Sequence, residues 1–404
     1  MYKLILKLFG ESIESIRLAA AIYNAFTLAA LYCLVRASQS LRAAWSGAFV
    51  FGIFSTCPLI EGFTANAELF TVLPLVLSAY LTWKKKWIWA GFLSGLAFFL
   101  KPIGVSGLIL TLSWMILMKA RWQEFFKASG AFFVVPILSV AHGIIIGWDH
   151  FWYSFAEQKL ASDTLFSIGI RSQISSFAHK FSYTLPATIV PLSLALLGTF
   201  KSKRQVKIFG ILWVITTLVG MSLGGNWHWH YFIQLIPPLA FLSGAAIAAF
   251  PTLSLRSFWV VVLTSSFLYF CIKQLPHWFL SPKSISQDVY KRLPYLVDKD
   301  IAEYISSNTK SHESIYVAFY QADIYYLSKR KAAVPQQLYR YQLLSSQKVF
   351  QQILNSIRQK KPAMVIWINY PPEWISAKEF LDFLRERYTE VKKFPYDIVI
   401  YKRR

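Results

Sequence analysis

Glu68 lies in GFTANAELF, at the start of an apolar run. A carboxylate at membrane depth is costly and usually has a function. It can activate a hydroxyl, position an acceptor or contribute to a divalent-metal site. The plain alternative is a first-turn acid favoured by the helix dipole, with Asn66 as the cap. Lys101 precedes Pro102 inside another apolar run, where it either binds a phosphate or snorkels to the interface. The segment GGNWHWHYFIQLIPP (224–238) combines His228, His230 and Tyr231 with Trp227 and Trp229. An aromatic belt accounts for the rings. The two histidines can chelate a metal only in an extended chain, and His230 can hydrogen-bond a phosphate or a sugar hydroxyl. Residues 148–184 carry Asp149, Trp152, Tyr153, Glu157, Asp163, Arg171 and Lys180. Carboxylates among aromatics, here Asp149, Trp152 and Tyr153, suit a sugar or acceptor, and Arg171 suits a phosphate. A solvated interfacial helix is the competing reading. No GxGxxG, Walker loop, HExxH, CxxC or serine elbow occurs in a fitting context, which disfavours a soluble nucleotide enzyme and an ATP-driven transporter.

These side chains need a scaffold, and composition identifies it as a membrane. Hydrophobic residues make up 55% of the 404-residue chain and charged residues 15%, against about a quarter charged in soluble domains. The periodicity predicts about ten spans, near 16–36, 43–60, 67–83, 87–100, 103–118, 128–147, 185–200, 208–223, 231–250 and 257–276. Loops between them alternate. Arg36 and Arg42, Lys84 to Lys86, Lys119 with Arg121 and Lys127, Lys201 to Lys207, and Arg256 form basic loops, and the intervening loops have few cations. Basic loops stay in the cytoplasm, so Glu68, Lys101 and His230 are all expected at the outer side. The alternation holds only if Lys101-Pro102 breaks residues 87–118 into two helices, as a proline would. It also puts the first residues outside, where Lys3, Lys7 and Arg17 oppose translocation. A helix upstream of them would resolve the conflict.

The expected fold is therefore a polytopic α-helical membrane protein over 1–282, followed by a small extracytoplasmic α/β domain over 283–404. Helical spacing marks 298–309, 348–362 and 378–388, with a short helix after Gln321. Strand character marks 313–320, 363–369 and 397–403, and the alternation predicts a mostly parallel sheet. The formal charge of +22 is dispersed over inner loops and this tail, which holds 21 Lys/Arg and 12 Asp/Glu, and so meets membrane lipid phosphates rather than nucleic acid. Cys33, Cys57 and Cys271 lie in apolar segments and read as small hydrophobes.

The order IRLAAAIYNAFTLAALYCLVR, ANAELF, WAGFLSGLAFFLKP, HYFIQLIPPLA and IYVAFYQADIYYLSKR resembles the membrane-embedded GT-C glycosyltransferases. More narrowly it resembles the bacterial branch related to protein O-mannosyltransferases and lipid A aminoarabinose transferases. The resemblance implies transfer of a sugar from a polyprenyl-phosphate donor to a lipid, glycan or protein acceptor, outside a bacterial plasma membrane. It implies that Glu68 positions an acceptor or a metal ion, and that Lys101, His230 and Tyr231 hold the donor phosphate. A divalent metal is the one cofactor implied. The family's catalytic Asp precedes the segment matching LILKLFGES, where this chain starts, so slow transfer is expected of residues 1–404. The alternatives are an inactive glycolipid-binding relative and a lipid or glycan transporter. A transporter would show matching broken helices in two halves, and only one break is visible.

Overall fold

The computed structural model describes residues 2–10, 12–152, 170–223, 227–250, 258–281, 284–285, 287–288, 296–318, 321–334, 347–368 and 377–404. The helical unit contains α1 (Tyr2–Phe9), α2 (Ile13–Ser38), α3 (Leu41–Phe54), α4 (Ala67–Trp83), α5 (Trp87–Leu100), α6 (Val105–Leu117), α7 (Trp122–Ile146), α8 (Trp148–Trp152), α9 (Ile170–Lys201), α10 (Arg204–Ser222), α11 (Ile236–Ala248) and α12 (Phe258–Lys273). Among the described residues six helices are long and apolar enough to cross a membrane, and four shorter apolar ones accompany them. The sequence expectation of about ten spans thus meets six of full length. The Trp122–Ile146 and Phe258–Phe279 segments bury only 11% and 17% of their apolar windows, which suits surfaces solvated by lipid tails.

Contact between helices relies on small and hydroxylated residues, as it must where no hydrophobic contrast with the solvent exists. Gly91 and Gly95 of α5 lie against the backbone of α7 so closely that a methyl on either would overlap a carbonyl, of Ala128 or Phe132. Ser78 of α4 meets Ser94 of α5 at 2.8 Å, and Thr82 meets Thr111 of α6 at 2.8 Å.

Three short breaks bear on the site. Residues Pro58–Ile60 form a 3₁₀ turn after α3, and Pro102–Gly104 form another between α5 and α6. Trp229–Leu235 form a third before α11. The expected break at Lys101-Pro102 is present, with Lys101 extended at φ −159° and ψ 139°. Gly104 permits the turn, because a side chain there would strike the Ala97 backbone. One boundary differs substantially. Residues 170–184, read from sequence as loop, are the first part of α9. Phe177 and Phe181 stack one turn apart and pack on Phe232, while Phe177 also meets Trp227, so aromatic packing extends the helix past its apolar run.

The C-terminal unit contains α13 (Asp298–Asn308), β1 (Ser314–Val317), α14 (Asp323–Ser328), β2 (Lys331–Ala332), α15 (Gln347–Lys360), β3 (Met364–Ile368), α16 (Ala377–Arg387), β4 (Tyr388–Phe394) and β5 (Ile398–Arg403). Its sheet order is β2-β1-β3-β5-β4. The pairs β1–β2 and β1–β3 are parallel, whereas β3–β5 and β4–β5 are antiparallel. The sheet is mixed, not mostly parallel. Tyr396 and Asp397 take left-handed φ values of 67° and 56°, closing β4 and β5 into a hairpin. The strand β4, YTEVKKF, exposes its charged residues along the sheet edge. Charges of this kind protect edge strands from pairing, and they hide the strand from a search for alternating hydrophobicity.

Candidate functional site

The three breaks converge on one cluster. Glu68, in the first turn of α4, is 2% exposed. Lys101 ends α5, and its ammonium forms an ion pair with Glu68 Oε1 while lying 4.3 Å from the centroid of the Tyr231 ring. The His230 imidazole stands between two carboxylates. Its Nε2 is 3.3 Å from Glu68 Oε1, and its Nδ1 is 3.3 Å from Glu61 Oε2. The Asn66 amide donates to the same Glu61 oxygen at 2.9 Å. Asn66 holds the N-cap position of α4 but makes no side-chain cap, and its Nδ2 is turned to Glu61. His228 stacks on His230 with centroids 5.3 Å apart and planes within 5°.

The local chain explains the arrangement. Glu61 follows the 3₁₀ turn in a left-handed conformation at φ 52°, uncommon for a residue with a Cβ. Strain of this kind collects where the surrounding structure demands a particular side-chain position. Burial alone raises the Glu61 carboxyl. Hydrogen bonding and charge from His230, helped by Asn66 and His228, outweigh burial and leave it below its ordinary value. The cluster sets two buried acids against a lysine and an imidazole, and partners of this kind offset the cost of burying the carboxylates.

Four of the residues singled out in the sequence, Glu68, Lys101, His230 and Tyr231, are thus within one site. The partner sought for Lys101 is a protein carboxylate. Glu61 has no counterpart in the sequence reading. Its signal was slight, an acid before Gly62 in a loop with few charges, seven positions ahead of Glu68. Arg171 is exposed at the start of α9 and makes no contact with the cluster among the described residues. Trp152 stacks on Trp148 at 5.6 Å, apart from it. The side chain of Asp149 lies outside the described residues, as do Tyr153, Glu157 and Asp163. Lys180 lies over the Trp229 ring at 4.6 Å, which extends the aromatic wall from α9.

With Lys101 paired to Glu68, no group of three His, Cys, Asp or Glu side chains arranged to hold an ion occurs among the described residues.

A family model described as dolichyl-phosphate-mannose-protein mannosyltransferase matches residues 1–145. The fold matches the crystal structure of ArnT from Cupriavidus metallidurans bound to undecaprenyl phosphate, with a TM-score of 0.63 and 12% identity over 98% of this chain and 85% of that one. The chain thus has the fold of ArnT, and its first 145 residues match the mannosyltransferase family model. The apo structure of the same ArnT matches with a TM-score of 0.57 and 13% identity, over the same shares. No curated protein matches in sequence. The polar cluster of this chain sits where helices break.

Proposed function

We propose that this chain transfers a sugar from a polyprenyl-phosphate donor to a lipid, glycan or protein hydroxyl, and that the Glu61–His230–Glu68–Lys101 cluster serves the reaction. The observation that carries this reading is the convergence of a lysine, an imidazole and two carboxylates on helix breaks within a membrane fold. The fold shared with ArnT, whose crystal structure holds undecaprenyl phosphate, supports the donor class. Lys101 exchanges its ion pair with Glu68 for the donor phosphate, where a fixed cation stabilises charge that grows as the leaving group departs. The acceptor oxygen bonds to the anomeric carbon as the bond from that carbon to the phosphate oxygen breaks. The acceptor proton passes to a carboxylate of the cluster, and the polyprenyl phosphate leaves with the electron pair. Glu68, freed from Lys101, and Glu61, backed by His230, are the carboxylates of the described cluster that can accept the proton.

In a transfer assay with a polyprenyl-phosphate sugar and mixed membrane acceptors, Glu68→Gln should lower turnover by about 10²–10⁴, the usual worth of a positioned base. Unchanged turnover would return Glu68 to a structural role. The charge alternation supports an orientation with the cluster and the C-terminal unit outside the cytoplasm, and the proposed membrane is a bacterial plasma membrane. A cysteine at the exposed Ser311 should then react with a membrane-impermeant thiol reagent in intact cells, and labelling only after lysis would reverse the orientation.

A further inference from the structure

The C-terminal unit holds a concentration of positive charge that the transfer reaction does not use. Where α15 and α16 end beside the last residues of β5, Arg358, Lys361, Arg387, Arg403 and Arg404 line a pocket of about 210 Å³, with Glu386 as its one acid. Among the described residues none of the five cations forms an ion pair. Each guanidinium is instead held by an uncharged group. Arg358 and Arg387 lie over the Phe383 ring, 5.5 and 5.6 Å from its centroid. Arg403 donates through Nη1 to the Lys361 carbonyl at 2.7 Å, and Arg404 through Nη2 to the Arg385 carbonyl at 2.9 Å.

Basic residues in the last turn of a helix are favoured by its dipole, which accounts for Arg358 and Arg387. It does not account for Arg403 and Arg404, which belong to the end of β5 and the residue after it. Five like charges around one small volume repel one another and gain most from an anion. Their orientation is set by stacking and by carbonyls, so the remaining N–H groups are arranged before any ligand arrives. Planar guanidinium forks suit tetrahedral oxyanions. The volume is below the roughly 300–1,000 Å³ of sites for drug-sized molecules, and so matches a single oxyanion group rather than a nucleotide or a whole glycolipid.

We propose that this pocket binds a phosphate group, carried either by a phospholipid headgroup or as free phosphate. The proposal is independent of the sugar-transfer reading. The test uses the full chain in phosphatidylcholine nanodiscs with and without phosphatidylglycerol, analysed by native mass spectrometry for retained lipid, and in parallel by equilibrium dialysis against radiolabelled phosphate. Retention of phosphatidylglycerol over phosphatidylcholine identifies the lipid source, and saturable phosphate uptake identifies the free anion. Either signal should weaken about tenfold or more in Arg387→Gln/Arg403→Gln, since each lost charge-assisted hydrogen bond is worth about that factor. Glu386→Gln should strengthen binding by removing the pocket's acid, a gain that misfolding cannot imitate. Absence of both signals, or signals unmoved by the double variant and by Glu386→Gln, would overturn the proposal.

Discussion

Two pairs of acids in this protein meet burial in opposite ways. In the helical unit, Glu61 and Glu68 are surrounded by His230, Lys101 and Asn66. In the C-terminal unit, Asp298 begins α13 and Asp323 begins α14, and the two carboxyls act on each other with no cation among the causes acting on either. Burial pushes up on all of these groups for which a shift is resolved. The hydrogen bond and charge from His230, with Asn66 and His228, reverse that push at Glu61. At Asp298 the charge of Asp323 adds to it, and the pair stays well above the ordinary carboxylate range. The helix-start dipole favours an anion at both aspartates, and still loses to desolvation and like charge. An acid at a helix start therefore says little about its charge until its neighbours are known. The first pair is suited to handling ions, and the second to holding a proton.

The largest effect should come from stripping the first pair of its cation. Lys101→Met leaves the Glu68 carboxylate buried beside His230 alone, and removal of one partner from a buried pair costs about 3–5 kcal/mol. Adding Glu68→Gln should recover most of that loss. Thermal melting of the two variants in detergent decides the point, because equal melting temperatures for single and double variants would mean that the ion pair does not hold the charge.

A smaller effect separates the two pairs by pH. The folded-state carboxyl of Glu61 lies below its unfolded value. Its stabilisation is therefore present above the ordinary carboxylate range and is lost as pH falls through the depressed value. Glu61→Gln should cost about 1–3 kcal/mol at neutral pH, the worth of leaving buried hydrogen-bond partners unpaired. It should also flatten the acid limb of the stability profile. An acid limb of the same steepness in parent and variant would assign that limb to other groups.

The smallest effect runs the other way. The folded-state carboxyl of Asp298 lies above its unfolded value, so its contribution is complete below the ordinary aspartate range and is lost as pH rises towards the raised value. Asp298→Asn should therefore stabilise the C-terminal unit in mildly alkaline solution, by roughly 2–4 °C in melting temperature. It should do little in acid. Hydrogen-exchange protection of β1 and β3, compared between parent and variant at each pH, reads this directly. Equal protection at alkaline pH would show that Asp298 ionises without cost.

Much of this protein is determined by local pattern. The Lys101-Pro102 break follows from what proline does to a helix, and the loop charges place Glu68, Lys101 and His230 at one end of their helices. In the C-terminal unit, α13, α15 and α16 and strands β1, β3 and β5 lie close to their expected positions, since amphipathic spacing and apolar runs depend on neighbours in sequence. Tertiary structure decided the rest. The direction of β5 depends on the hairpin at Tyr396 and Asp397 and on pairing with β3, neither of which leaves a periodic trace in the charged edge strand β4. The upper part of α9 is helical because Phe177 and Phe181 find Phe232 and Trp227, some fifty residues away. Glu61 joins the site for the same reason. Its left-handed backbone and its distance from His230 are properties of three chain segments brought together, and a single segment contains no record of the other two. Charge pattern and hydrophobic period are local quantities, whereas the protonation of a buried acid and the completeness of a site depend on distances between segments, which packing alone sets.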